Sequence, residues 1–161
     1  MRRLQVRRQY CYTPLDMPKP VIFIGADHAG FGLKEELKKK LDTKKYTLVD
    51  LSPVFTDEDD YPEHGFRVAR HVVKTKGARG ILVCGSGVGV SIAANRIKGA
   101  RAFDAYDERT TKLAREHNDA NIISLSGWHL TPEAAKKVVD LFLKTKFSAA
   151  ARHHRRVKEL A

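Results

Sequence analysis

Short apolar runs alternate along the chain with segments in which apolar residues recur every three or four positions. The short runs are rich in branched residues, which is typical of buried parallel strands. They are VIFIG (21 to 25), YTLVDL (46 to 51), GILVC (80 to 84), ARAFDA (100 to 105) and NIISLS (121 to 126). The intervening segments have helical spacing; in FGLKEELKKKL, for example, Leu33, Leu37 and Leu41 share one face.

Helix-start signals support the same alternation. Asp59 and Asp60 come shortly before Pro62, and Thr131 directly precedes Pro132, as capping residues and first-turn prolines do. Five strands joined to helices by short connections predict an α/β fold of three layers, with a five-stranded parallel sheet covered on both faces. We expect the strand order 2-1-3-4-5, with ligands at the carboxyl ends of the strands near the point where the order reverses.

Length and charge set the domain organisation. The 161 residues fit one domain, for which we predict residues 17 to 161, preceded by a basic extension at 1 to 16. The extension has the composition of a targeting segment, but we favour an untargeted extension or an upstream start codon. Each end of the chain contributes +3 to the net charge of +11, which leaves +5 for residues 17 to 151, where signs alternate along helical faces. That pattern indicates a solvated surface rather than a nucleic-acid interface.

Cysteine usage and hydropathy point to the cytoplasm. Cys11 and Cys84 are far apart, and neither belongs to a CxxC pair, so neither a disulfide framework nor a zinc site is predicted. No apolar stretch approaches the roughly 18 to 20 residues that cross a bilayer. The sequence therefore predicts a soluble, cytoplasmic protein without a membrane partner.

The segment CGSGVG, residues 84 to 89, follows the third predicted strand. As a dinucleotide fingerprint it is incomplete, because Val90 stands where the last glycine belongs, and the Walker motif lacks its GK[ST]. Cys84 itself allows two interpretations. A thiol at a strand end before a helix is placed where its thiolate is favoured, whereas a cysteine that closes an apolar strand is often a small core residue.

Three further polar clusters fall at strand or helix ends. Asp27 and His28 follow the first strand, where such a pair also serves as a turn or cap. His117 and Asn118 close a helix, where a histidine also complements the helix dipole. In the terminal basic segment, Arg152 and Arg156 are four apart and could clamp a phosphate, although a solvated tail has the same composition.

Five segments, taken in order, resemble the type B ribose-5-phosphate isomerase family, which includes allose- and galactose-6-phosphate isomerases. They are GADHAGFGLK, DYPE, CGSGVGVSIAANRIKGARA, REHNDANIISL and ARHHRRV, and together they nearly fill residues 17 to 158. The resemblance implies a Rossmann-like fold, a homodimer or tetramer with the site at a subunit interface, and no metal or organic cofactor. It also implies interconversion of ribose 5-phosphate and ribulose 5-phosphate in the non-oxidative pentose phosphate pathway.

The resemblance also implies roles for individual residues. Cys84 corresponds to the base that moves a proton between C1 and C2, and His117 to the acid that opens the sugar ring. Asp27 and His28 match the pair beside the sugar, and Asp27 also belongs to the catalytic set. The remaining matches are Tyr61 as an aromatic wall, Asn118 as a hydroxyl ligand, and Arg152 with Arg156 as the phosphate clamp.

The glycine loop completes the expected site. Isomerisation passes through an enediolate, whose charge requires fixed donors. We expect these from the backbone of Gly85, Ser86, Gly87, Val88 and Gly89. Ser86 stands where many relatives have threonine, which keeps the hydroxyl, and it joins the catalytic set. Two alternatives stay open: a 6-phosphohexose (allose or galactose 6-phosphate) as substrate, and a non-catalytic nucleotide- or RNA-binding module.

Overall fold

The computed structural model describes residues 19 to 160, and the predicted basic extension at 1 to 16 lies outside them. Strands and helices alternate as the hydrophobic pattern predicts. The elements are β1 (Val21–Ala26), α1 (Phe31–Lys40), β2 (Thr47–Asp50), α2 (Tyr61–Lys74), β3 (Arg79–Cys84), α3 (Val88–Ala94), β4 (Ala102–Asp104), α4 (Glu108–Asn118), β5 (Ile122–Ser126), α5 (Pro132–Lys144) and α6 (Ala151–Glu159). Thr131 caps α5 as predicted, because its hydroxyl accepts a hydrogen bond from the Ala134 amide at 3.2 Å.

The five strands form one parallel sheet in the order β2-β1-β3-β5-β4. The parallel α/β architecture is confirmed, but the predicted order 2-1-3-4-5 is wrong for the last two strands. An inner strand is covered by neighbours and helices, so it must be apolar on both faces. In β5, Ile122, Ile123 and Leu125 are fully buried, whereas β4 has three half-buried residues and ends in Asp104. The short, more polar strand therefore takes the edge.

Helices cover both faces of the sheet. On one face, Leu37 of α1 and Phe142 of α5 pack with Ile24 and Ile81. On the other, Val68 of α2 and Val90 of α3 pack with Leu82. Helix α4 packs against α5, and α6 packs against α4. Within residues 19 to 160, none of the helices combines the length and the apolar character that a bilayer crossing requires.

Candidate active site

A cavity of about 480 Å³ opens where the carboxyl ends of β1, β3 and β5 meet. β1 and β3 are paired, with Ala26 opposite Val83, so the residues that follow each strand lie side by side. The cavity is lined by Asp27, His28, Ala29, Tyr61, Cys84, Gly85, Ser86, Val88, Gly89, Ile92 and Trp128. The predicted strand-end polar pair and most of the predicted glycine loop are therefore brought together.

The glycine loop folds around the Cys84 sulfur. Cys84 is 4% exposed, and its Sγ accepts a hydrogen bond from the Gly87 amide at 3.1 Å. Gly87 has φ +90°, a left-handed conformation in which glycine is preferred, and it is the N-cap of α3. Its carbonyl accepts a hydrogen bond from the Ser124 hydroxyl. The loop therefore holds the Cys84 sulfur at the amino end of α3, where the residues of the glycine loop surround it.

Two aromatic rings press on the same loop and explain two more of its glycines. A Cβ at Gly85 would overlap the indole of Trp128, and a Cβ at Gly89 would lie 2.6 Å from Cε2 of Tyr61. Trp128 is 70% exposed and Tyr61 is 45% exposed, although both line the cavity. The rings therefore form walls against which a ligand would become buried.

Asp27 lies at the inner end of the cavity and is 6% exposed. Its Oδ1 accepts a hydrogen bond from the Gly30 amide at 2.9 Å. Burial raises the pKa of Asp27, and this outweighs the Gly30 hydrogen bond and the nearby histidines, which favour the charged form. A carboxyl group that retains its proton more readily than usual is better suited to exchange protons with a ligand.

His28 is held at the cavity wall by Asp59, which the sequence analysis did not select. Asp59 Oδ1 lies 2.7 Å from the His28 amide nitrogen and 3.0 Å from its Nδ1. The hydrogen bond to the Asp59 side chain raises the pKa of His28. One carboxylate oxygen therefore holds both the backbone and the ring of His28, and the protonated form of the imidazole is favoured.

The other predicted residues belong to a different surface. His117, Asn118, Arg152 and Arg156 lie on α4 and α6, and none of them lines the cavity at Cys84. The His117 ring lies 4.1 Å, centroid to centroid, from the ring of the buried His153. Asn118, Arg152 and Arg156 are exposed. One chain therefore assembles the residues that surround Cys84 (the Cys84 group), whereas His117, Asn118, Arg152 and Arg156 (the His117 group) lie on another surface.

The sequence analysis missed Trp128 for an identifiable reason. It is the only tryptophan of the chain and follows the carboxyl end of β5 by two residues. In the expected strand order, β5 lies at the far edge of the sheet, away from Cys84. Once β5 is placed beside β3, with Ser126 opposite Cys84, the residues after β5 reach the cavity.

Among residues 19 to 160, no group of three or more histidine, cysteine, aspartate or glutamate side chains could hold a metal ion. The expectation of an enzyme without metal or organic cofactor is not tested by this finding and stays a prediction.

Comparison with known proteins identifies the family. The profile described as Ribose/Galactose Isomerase matches residues 22 to 160. The chain therefore belongs to the ribose/galactose isomerase family, which confirms the resemblance found in the sequence.

Individual relatives agree. A probable ribose-5-phosphate isomerase B of Mycoplasma genitalium is 44% identical over 141 residues, which cover 86% of this chain and 92% of that protein. The ribose-5-phosphate isomerase B of Mycobacterium tuberculosis is 40% identical over 141 residues, which cover 87% of each chain.

Solved structures give the same result. The ribose-5-phosphate isomerase B of Mycoplasma genitalium with bound ribulose-5-phosphate superimposes with a TM-score of 0.81 at 43% identity, over 87% of this chain and 93% of that one. The type B ribose 5-phosphate isomerase of Trypanosoma brucei gives a TM-score of 0.82 at 35% identity, over 89% and 97% of the two chains.

Proposed function

We propose that this protein interconverts ribose 5-phosphate and ribulose 5-phosphate, an aldose–ketose isomerisation. The observation that carries the proposal is a buried cysteine, wrapped by a glycine loop, at the base of a cavity that also holds a carboxyl group and an imidazole. Support also comes from the family and from a relative, 43% identical, whose structure holds ribulose-5-phosphate. The reaction belongs to the non-oxidative pentose phosphate pathway.

The proposed chemistry uses Cys84 as the base. Its thiolate takes the proton from C2 of the open-chain aldose, the C2–H electron pair forms the C1–C2 double bond, and the carbonyl oxygen on C1 becomes the enediolate oxygen. The same thiol then returns the proton to C1, where the electron pair of the C1–C2 double bond forms the new C–H bond. The proton of the O2 hydroxyl passes to O1, which becomes the C1 hydroxyl, and the O–H electron pair left on O2 forms the C2 carbonyl. One residue serves both steps because the two carbons are adjacent.

The loop amides divide between two tasks. The Gly87 amide donates to the Cys84 sulfur, and the Val88 amide donates to the Ser86 hydroxyl at 3.3 Å. The amides of Gly85 and Gly89, with the Ser86 hydroxyl, remain as the donors proposed for the enediolate. Asp27 and His28 are proposed to bind the sugar from the β1 side, with Asp27 exchanging protons between the sugar oxygens.

We infer that a second copy of the chain completes the site, as a homodimer or tetramer. The proposed ring-opening acid His117, the hydroxyl ligand Asn118 and the phosphate clamp of Arg152 and Arg156 do not line the Cys84 cavity of their own chain. On α3, beside that cavity, Val88 is 41% exposed and Ile92 is 55% exposed. Exposed apolar side chains at a cavity mark a surface that another chain covers.

Different observations distinguish the proposed function from its two alternatives, a nucleotide-binding module and an isomerase of a 6-phosphohexose. A phosphate-binding module of the dinucleotide type requires free loop amides, but the Gly87 amide donates to the Cys84 sulfur and the Val88 amide donates to the Ser86 hydroxyl. Kinetic measurements distinguish a 6-phosphohexose substrate from ribose 5-phosphate. We expect kcat/KM to be higher for ribose 5-phosphate than for allose or galactose 6-phosphate.

Isotope exchange tests the proposal directly. Incubated with ribose 5-phosphate in heavy water, the wild-type protein should form ribulose 5-phosphate with deuterium at C1, whereas Cys84→Ala should not. No isomerisation and no C–H exchange in the wild type would exclude the isomerase function. Full activity in Cys84→Ala would exclude Cys84 as the base and leave the proposed function intact.

Dialysis against a chelator tests the expectation that no metal is needed, and it should leave the activity unchanged. The cytoplasmic location, based on cysteine usage, stays a prediction.

A further inference from the structure

Asp59 joins two histidines, one at the cavity and one in the interior. Its Oδ1 contacts His28, as described above, and its Oδ2 lies 2.6 Å from Nε2 of His64. His28 lines the Cys84 cavity, whereas Asp59 and His64 line a neighbouring cavity of about 440 Å³. The three side chains therefore form a continuous hydrogen-bonded chain between two cavities.

His64 restricts Asp59. It lies on the inner face of α2, is 9% exposed, and has a buried Nδ1 without a partner in the described part of the chain. Its hydrogen-bonding capacity toward the protein is therefore committed to Asp59 through Nε2. With one oxygen on His28 and the other on His64, the Asp59 carboxylate is fixed in rotation as well as in position. Hydrogen bonds from the His28 amide and ring and from His64 lower the pKa of Asp59 despite its partial burial.

Asp59 in turn determines which nitrogen of His28 faces a ligand. Because Nδ1 is paired with the carboxylate, Nε2 is the ring nitrogen left for the cavity. A carboxylate behind an imidazole fixes its tautomer and stabilises the imidazolium. The other titratable groups around His28 are Asp27 on its own loop, His64 behind Asp59, and Cys84 and Tyr61 across the cavity.

We propose that Asp59 is a positioning residue for the isomerisation, holding His28 with Nε2 toward a sugar oxygen, and that His64 serves by fixing Asp59. The proposal rests on the proposed function. In it, His28 donates from Nε2 to a hydroxyl or to the enediolate, and a displaced imidazole would reduce turnover more than binding. A purely structural pair would instead affect folding alone.

Asp59→Asn is the first test, because it keeps the size of the side chain and removes its charge. We expect kcat to fall on the order of tenfold to a hundredfold, with a smaller change in KM. His64→Phe, which removes the second anchor, should shift kcat in the same direction by less. Asp60→Asn is the matched control, since Asp60 is the neighbouring exposed carboxylate and its side chain does not cap α2.

Proton NMR titration of His28 gives a readout independent of isomerase activity, with the resonance assigned from His28→Gln. In Asp59→Asn the pKa of His28 should fall, and the basic limb of the kcat–pH profile should move to lower pH with it; in Asp60→Asn neither should move. An unchanged titration in Asp59→Asn overturns the inference whether or not the protein is active. A lowered melting temperature with the titration and the pH profile unchanged overturns it as well.

Discussion

The two groups of proposed functional residues differ in how the fold supports them. The Cys84 group is built on the backbone of strand ends: its glycines are constrained by a left-handed φ and by two aromatic rings, and its cysteine is buried. The His117 group lies on helix surfaces, with Asn118, Arg152 and Arg156 exposed. The first is fixed by the sheet before any ligand binds, whereas the second depends on what packs against it. Substitutions in the two groups should therefore affect different properties of the protein.

The largest effect is expected at Cys84. Cys84→Ala should lower kcat by roughly 10²- to 10⁴-fold, because the reaction loses its base while the cavity keeps its shape. Steady-state kinetics measures kcat, and thermal unfolding of the same preparation checks that the fold is kept. A variant that retains wild-type kcat would remove Cys84 from the mechanism.

In the His117 group, which lies on helix surfaces, we expect substitutions to affect the binding of ribose 5-phosphate. Arg152→Ala should raise KM for ribose 5-phosphate by about 10- to 100-fold, the effect of losing a charge-assisted hydrogen bond, with little change in unfolding. Arg155→Ala is the matched control, because Arg155 is exposed on the same helix but is outside the proposed clamp. Equal KM values in the two variants would argue against the clamp.

Gly87→Ala tests the constrained backbone of the first group. The left-handed φ of +90° and a Cβ only 3.2 Å from the Leu125 carbonyl carbon predict a loss of about 1–2 kcal/mol in unfolding free energy. Activity should fall with it, because the amide would move from the Cys84 sulfur. Gly32→Ala in α1, where a Cβ meets nothing within 4 Å, should be neutral or stabilising. Equal stability and activity in the two variants would contradict the account.

The smallest effect, and the one that contrasts the regions most directly, is that of pH. Burial lowers the pKa of His153 below its ordinary 6.5, reinforced by the nearby His117 and arginines, so the unfolded chain binds that proton more readily. Stability around α6 is therefore lost as pH falls through 6.5. The pKa of His28 is raised, so its contribution is present in acid and is lost as pH rises through the folded value.

Hydrogen-exchange protection factors measure this contrast. Amides of α6 should lose protection on acidification, whereas those next to His28 should keep it until the pH rises. Parallel responses in the two regions would contradict the assignment of opposite pKa shifts.

The fold and half of the site follow from sequence because buried strands leave apolar runs, and residues after such runs meet at one edge of the sheet. Strand order does not follow as directly, since it depends on which of β4 and β5 is better buried on both faces. That error also hid Trp128, whose loop reaches Cys84 only when β5 lies beside β3. Asp59 and His64 were missed because a carboxylate in an acidic loop and a histidine on a helix carry no local signal of their pairing.

Mixing two inactive variants tests the central claim, that one site takes residues from two chains. Cys84→Ala and His117→Ala, each inactive alone, are unfolded together in equal amounts and refolded. If copies pair at random and the groups come from different chains, half the dimers carry one intact site, so about a quarter of wild-type activity should return. No recovery, with mixed dimers shown to be present, would contradict the account.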